Sequence, residues 1–409
     1  MGKHMHTANP RWAGQRSAAW WITWLVVGLW AWLIAHSAMA APRLWPQLPA
    51  LGATGLTVSG LSSGGFMAEQ FAVAHSAQVD GVAVLAGGPY GCARGSVYNA
   101  MTKCSCPSER AVMLDVLSLF PGAGCFVFSP QVQSTLSQMA IEGNAADIDP
   151  PRHLARQRVW LLAGGQDPVV HADTVEAVRD VRLALGGTDD TVRRVALPDA
   201  GHGMPSPRAS QACERTASPF LNQCQVDAAG ELLKWLYPPA PGAEGPAWVR
   251  GQARAAALRP FDQRPYLQGL GESGLDRTGW VYVPAACQAP GAACRVHVVF
   301  HGCQQGQAFR SPATGGQPFG TRFVRGAGYN EWADDNRLIV LYPQVLPRDT
   351  GHPEEPHLYN PKGCWDFWGY TQRHGAALGG QGVRFEHATR SAPQIEAVWR
   401  MVQALSAQP

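Results

Sequence analysis

A serine hydroxyl is a poor nucleophile unless a base takes its proton and donors hold the oxyanion that forms on attack. The run Gly60-Leu61-Ser62-Ser63-Gly64 offers the geometry for one. A sharp strand-to-helix turn lifts such a serine's Oγ clear of the backbone, and small neighbours relieve the crowding. Glycine and serine are common, so the motif carries weight only in context. Leu56 to Gly60 reads as a strand, and Phe66 to His75 as a helix with Met67, Phe71 and Ala74 on one face. Ser62 is therefore the expected nucleophile. The alternative is a Gly/Ser turn without chemistry.

A serine on such a turn is followed in the chain by an acid and then a histidine. The acid belongs just past a strand. Asp167 stands there, after Val159-Trp160-Leu161-Leu162-Ala163 and the turn Gly164-Gly165-Gln166. Asp199 competes, but it lies only three residues from the histidine, and a turn or capping role for Asp167 is the bland alternative. The histidine belongs in a loop after the next strand, and His202 in Ala200-Gly201-His202-Gly203-Met204 fits. In this scheme His202 takes the Ser62 proton and returns it to the leaving alcohol. Asp167 fixes the imidazole tautomer and steadies the imidazolium, and the Ser63 N–H is one oxyanion donor.

The elements that must position these groups alternate. Val82 to Ala86, Val159 to Ala163 and Val192 to Leu197 read as further strands, with helices over Val175 to Leu185 and Ala228 to Tyr237. That alternation implies a mostly parallel sheet with helices on both faces. Residues 91–150 have weak periodicity and read as an insertion over the sheet edge and a wall of the site. A Pro/Gly-rich stretch from Pro238 to Pro246 opens a linker near 238–262. Strand runs resume at Trp280 to Val283, Val296 to Phe300 and Leu338 to Tyr342. Tyr329 to Asp335 and about Gln394 to Leu405 read as helices.

The second oxyanion donor should follow an earlier strand, yet with residues 1–40 read as a cleaved export signal only about fifteen residues precede Leu56. The missing strands come after the histidine instead. Val296-His297-Val298-Val299-Phe300 runs into His301-Gly302-Cys303-Gln304-Gln305, which reads as a strand with its oxyanion loop. The C-terminal helix would then be the one that leads into the nucleophile strand. The expected architecture is a circularly permuted α/β-hydrolase, residues 41–409 forming one domain; a second, unrelated domain after 246 is the alternative. Chain ends often lie close together, so permutation costs little. The Cys303 N–H is the expected second oxyanion donor.

Composition sets the setting. The 409 residues are 46% hydrophobic and 15% charged, which suits a large core and argues against a disordered or nucleic-acid-binding chain. Lys3, Arg11 and Arg16, an apolar run from Ala18 to Ala35, and Ala38-Met39-Ala40 read as an export signal over 1–40 cleaved before Ala41. An uncleaved membrane anchor is the alternative. Cleavage would remove three basic residues and bring the formal +3 to about zero, which favours a neutral or apolar substrate. Ten cysteines (92, 104, 106, 125, 213, 224, 287, 294, 303 and 364) in an exported chain read as disulfides. Cys213 with Cys224 and Cys287 with Cys294 could close short loops, and Cys364 is one candidate partner for Cys303. No residue pattern calls for a metal or a cofactor.

Several motifs together carry a family likeness: Gly60 to Ala68, His301 to Gln305, Tyr329-Asn330-Glu331-Trp332-Ala333-Asp334, Leu341-Tyr342-Pro343-Gln344, and Asn360 to Tyr370. They resemble the poly(3-hydroxybutyrate) depolymerases with a permuted catalytic domain. The resemblance implies a periplasmic or extracellular, cofactor-free esterase. Its triad is Ser62, Asp167 and His202, with Ser63 and Cys303 at the oxyanion hole. Members that attack crystalline granules often carry a separate binding domain after the catalytic one. Its absence before Pro409 leads us to expect amorphous polymer or 3-hydroxybutyrate oligomers as substrate, and a monomer. Trp365 and Trp368 are candidate contacts for a methyl-bearing polyester, with core packing as the alternative. The competing activity is a carbohydrate-directed esterase releasing acetyl or feruloyl groups, since a fold does not set its substrate. A hydrolase-like protein that only binds is a third reading.

Overall fold

Short runs dense in Val, Leu and Ala make strands that are buried on both faces. Leu56–Leu61 (β1) has all six residues buried, as a strand at the centre of a sheet must. In the computed structural model it is flanked on one side by Val79–Leu85 (β2), Arg158–Gly164 (β3) and Val192–Leu197 (β4). On its other side come Arg295–Phe300 (β10), Leu338–Tyr342 (β11), Thr278–Tyr282 (β9) and Leu258–Asp262 (β8). The order across these eight strands is β4-β3-β2-β1-β10-β11-β9-β8. All are parallel except β9, which runs antiparallel to both β11 and β8. Residues described by the structure are 43–105, 127–238, 248–289, 291–312, 315–351, 357–372 and 384–409. The expected export signal, Cys106, Cys125 and residues 239–247 of the linker lie outside them. Leu44–Pro409 forms one compact unit; the other, Met1–Arg43, is described only at Arg43.

Register explains the site's location. β1 and β10 pair in parallel with Leu56 opposite Val296 and Gly60 opposite Phe300. The residues just past their carboxyl ends, Ser62 on one chain stretch and His301 to Cys303 on the other, therefore emerge side by side. Asp167 follows β3 and His202 follows β4, so all four loops open at the carboxyl end of the sheet, where open α/β sheets hold ligands. The return of the chain is equally direct. The C-terminal helix Pro393–Ser406 ends beside the entry to β1. There the N–H groups of Leu51 and Ala53 donate to the Leu405 carbonyl, and that of Gly52 to Ala407.

Three local readings are revised. The helix after Ser62, Ser63–Ala74 (α1), is buried on every side rather than on one face. Its polar residues are accommodated by partners: Glu69 pairs with Arg182, and Gln70 Nε2 donates to the Asp366 carbonyl. The described part of the expected linker, from 248, is not all connector. It ends in β8, the sheet's edge strand, whose Pro260 an edge position tolerates. The weakly periodic 91–150 stretch contains a 14-residue helix, Pro130–Gly143 (α2), which packs along Ala172–Ala184 (α3). Ser129 caps it, accepting from the Val132 N–H, with Pro130 at its first turn. After His202 the chain adds a small sheet in which Leu221–Gln223 (β7) lies between Met204–Pro205 (β5) and Gln211–Ala212 (β6).

Candidate active site

Ser62 sits between β1 and α1 with φ 59° and ψ −125°, a left-handed conformation unfavourable for serine. Its N–H donates to the Leu85 carbonyl at 2.9 Å. The turn closes because its neighbours lack side chains. A Cβ on Gly60 would overlap the Gly64 carbonyl, and one on Gly64 would overlap the Phe300 carbonyl. Serine in this place has its hydroxyl presented at a strand-to-helix elbow.

Across the site, Asp167 and His202 form a buried pair. His202 Nδ1–H donates to Asp167 Oδ2 at 2.8 Å, and the two side chains are 6% and 1% exposed. The other carboxylate oxygen accepts from the Val169 and Val170 N–H groups at 2.8 and 2.9 Å. Those bonds fix the carboxylate without neutralising it. His202 N–H donates to Thr216 Oγ1 at 2.8 Å, and the Phe220 ring meets the imidazole edge-on, centroids 6.3 Å apart. Asp167, not Asp199, is thus the histidine's partner.

The loop after β10 forms the facing wall. His301 is fully buried. Its Nδ1–H donates to the Gly302 carbonyl at 2.8 Å and its Nε2 accepts from the Val345 N–H at 3.3 Å. Burial pushes its pKa down to about 4, so the ring stays neutral. The Gln304 N–H donates to the Lys362 carbonyl at 2.7 Å, and a disulfide joins Cys303 to Cys364. The loop is therefore tied twice to the 357–372 segment. Cys213 with Cys224 and Cys287 with Cys294 are also bonded, closing the two short loops, and Cys104 pairs with Cys92.

Ser62, Ser63, His202 and Cys303 all line one cavity of about 410 Å³. Much of its wall is apolar: Phe66, Val97, Met101, Val169, Phe220 and Phe367. Val97, Ala100 and Met101 come from the 91–150 stretch, which supplies one wall. Trp368 lines the cavity too. Trp365 does not. It is fully buried, its ring set edge-on against Phe300 at 4.8 Å and tilted against His301 at 5.6 Å. The Cys303–Cys364 bond draws this segment against the end of β10, and the next side chain falls into the core. The reading of Trp365 as a substrate contact is thereby corrected. Trp368 is held by a turn around Asp366, whose carboxylate accepts from the N–H groups of Trp368, Gly369, Tyr370 and Thr371. Sequence reasoning missed Phe66, Met101, Phe220 and Phe367 as wall residues. Phe66 and Phe367 stack at 4.3 Å, but they come from distant motifs and look like ordinary core phenylalanines in isolation.

No protein-family model matches the chain. It is 32% identical over 375 residues to the poly(3-hydroxybutyrate) depolymerase of Delftia acidovorans, covering 91% of this chain and 62% of that protein. The chain thus spans less than two thirds of that relative. It is 31% identical over 360 residues to the polyhydroxybutyrate depolymerase of Talaromyces funiculosus, covering 86% of this chain and 92% of that one. Among solved structures, the PHB depolymerase from Penicillium funiculosum superposes with a TM-score of 0.64 at 26% identity, over 88% of this chain and 100% of its own. A serine-to-alanine PHB depolymerase complexed with an R3HB trimer gives the same values. With identity above 30% along nearly the full length of the Talaromyces relative, the chain belongs to the polyhydroxybutyrate depolymerase family.

Proposed function

We propose that this protein is a serine esterase that hydrolyses poly(3-hydroxybutyrate), as amorphous polymer or oligomers, through an acyl-enzyme on Ser62. One observation carries the reading: His202, paired with Asp167, shares an apolar cavity with the strained Ser62 and with Ser63 and Cys303. The relatives' names and the trimer bound to the structural neighbour support the substrate.

The chemistry runs in two halves. Ser62 Oγ attacks the ester carbonyl while His202 Nε2 takes its proton. The N–H groups of Ser63 and Cys303 hold the oxyanion, and Asp167 steadies the imidazolium at Nδ1. Collapse breaks the bond to the leaving oxygen, which receives the proton from His202 and departs as the hydroxyl end of one fragment. Water then gives a proton to His202 and attacks the acyl group. Collapse returns that proton to Ser62 and frees a 3-hydroxyacid. Phe66, Phe220, Phe367 and Trp368 suit the methyl-bearing aliphatic chain.

Four disulfides among the described residues fit an oxidising compartment. We place the protein in the periplasm or outside the cell, residues 1–40 acting as a cleaved export signal and 41–409 as one catalytic domain working as a monomer without cofactor. No helix among the described residues is long and apolar enough to cross a membrane.

Ser62→Ala tests the reading. Its turnover of 3-hydroxybutyrate oligomers should fall by about 10⁴-fold or more with the fold intact, measured as released acid. Retained turnover would sink the assignment. Release of ferulate or acetate from carbohydrate esters, with no 3-hydroxybutyrate product, would move the protein to the competing activity.

A further inference from the structure

An oxyanion hole works only if its donors are already aimed where charge develops. The Cys303 N–H belongs to the peptide whose carbonyl is Gly302 O, and in a trans peptide the two point in opposite directions. Whatever holds that carbonyl aims that N–H. Two donors hold it: His301 Nδ1–H at 2.8 Å and the Gln305 backbone N–H at 3.2 Å. The preceding peptide is held as well, because the Gly302 N–H donates to Gln305 Oε1 at 2.8 Å. Gln305 thus grips both peptides that flank Gly302.

Its other end reaches across the site. Gln305 Nε2 donates to the Pro219 carbonyl at 3.0 Å and to the Phe220 carbonyl at 3.3 Å. The same Phe220 carbonyl accepts from the Met204 N–H at 2.9 Å. Met204 stands two residues past His202, and the Phe220 ring abuts the imidazole. Gln305 is 1% exposed, so water does not compete for these bonds. Its donor and acceptor ends cannot be exchanged, because one end meets an N–H and the other meets two carbonyls.

We propose that Gln305 is a positioning residue for the reaction: its side-chain amide anchors the Gly302 N–H, in the peptide just before the one that carries the Cys303 N–H, and sets the distance between the oxyanion loop and the loop behind His202. This rests on the functional reading above. A fixed spacing between oxyanion donor and general base is what a serine hydrolase needs at the transition state, and it matters little for holding the ester beforehand. Removing Gln305's grip should therefore act on turnover more than on binding.

Gln305→Glu is the informative change. It is isosteric and keeps an acceptor for Gly302, but at neutral pH it loses both donors and sets a carboxylate against two carbonyls. The measurements are kcat and KM on a soluble 3-hydroxybutyrate oligomer. Beside them stand the inhibition constants of a trifluoromethyl ketone, which mimics the tetrahedral adduct, and of a non-hydrolysable ether analogue, which mimics bound substrate. We expect kcat to fall about 10- to 100-fold, KM and ether affinity to stay within about threefold, and trifluoromethyl ketone affinity to fall in step with kcat. Unchanged kcat overturns the proposal, and so does an equal loss of ether and ketone affinity. If Gln305→Glu does not fold, Gln305→Met is read in the same way; loss of the fold in both variants overturns it too, because the residue would then serve the fold rather than the site. Ser62→Ala is measured alongside. If it stays active, the functional reading fails. If it is inactive while Gln305→Glu matches the parent, only the role of Gln305 fails.

Discussion

Asp167 has two jobs that its oxygens divide between them. Oδ1 takes two backbone N–H groups and locks the carboxylate, while Oδ2 takes the His202 proton. Asp167→Asn separates the jobs. The amide oxygen can still accept from Val169 and Val170, but an NH₂ then faces Nδ1 and forces the wrong imidazole tautomer. Turnover should fall about 10⁴-fold with little change in melting temperature, read by oligomer hydrolysis and a thermal scan. A loss under tenfold would mean another acid serves His202. Asp167 was legible because its position is fixed by chain order: strand, short turn, acid, strand, histidine. Cavity walls carry no such order. Trp365 and Trp368 stand three residues apart on one segment, and only the Cys303–Cys364 bond and the turn around Asp366 decide that one packs inward and the other lines the cavity.

Helix α1 begins one residue after Ser62, the proposed nucleophile, so its seating matters to the proposed chemistry. Being buried on all sides, it contains a carboxylate that cannot reach water. Glu69 is met by Arg182 of α3 through two bonds, 3.0 and 2.8 Å, and Arg182 also reaches Gln157 Oε1 at 2.6 Å. Both charged side chains are at most 1% exposed. Removing one partner of such a pair leaves an uncompensated charge and costs about 3–5 kcal/mol, whereas an apolar replacement of both is often close to neutral. Arg182→Met should lower the stability by about that amount, and Glu69→Leu added to it should recover much of the loss. A double variant less stable than Arg182→Met would show that the pair is not what holds α1 against α3. This arrangement was hidden in the sequence. Met67, Phe71 and Ala74 suggested a one-sided helix, and nothing local announced that Glu69 faces another helix over a hundred residues on. Strands β1, β2, β3 and β11 were legible because they are short, mostly apolar runs bounded by turn residues. Edge strand β8 was not: it contains Arg259, Pro260 and Asp262, and its pairing with β9 comes from the tertiary structure.

At the scale of the molecule, the permuted order was legible from chain order: the strand and oxyanion-type loop that the site requires, Val296 to Gln305, follow His202 in the sequence. The structure meets that need by pairing β1 with β10 at the centre of the sheet. The seam is polar inside. His297 on β10 meets Thr57 Oγ1 at 2.6 Å and Ser59 Oγ at 2.8 Å on β1, and the Tyr329 hydroxyl bonds Ser59 at 2.8 Å. Burial holds the His297 pKa down to about 3, and it also holds His301 and His75 down to about 4. Asp149 opposes the shift at His75 and Arg390 adds to it.

These three rings make the fold acid-sensitive. Above pH 6.5 they are neutral in both folded and unfolded chains, and the folded state gives up nothing. As pH falls below 6.5 the unfolded chain binds protons that the folded chain refuses, so stability is lost progressively until about pH 4, and until about pH 3 for His297. At about 1.4 kcal/mol per pH unit for each refused proton, His75 and His301 each cost on the order of 3 kcal/mol at pH 4. Disulfides resist unfolding at any pH, so the loss should appear as a shift of midpoint rather than spontaneous collapse. Urea unfolding of the oxidised protein followed by tryptophan fluorescence should show a midpoint clearly lower at pH 4.5 than at pH 7. His297→Asn, which cannot bind a proton, should flatten part of that slope even if it costs stability at pH 7. A midpoint independent of pH between 7 and 4.5 would mean that these rings are already reached by water in the native protein, and that the β1/β10 seam is looser than its hydrogen bonds imply.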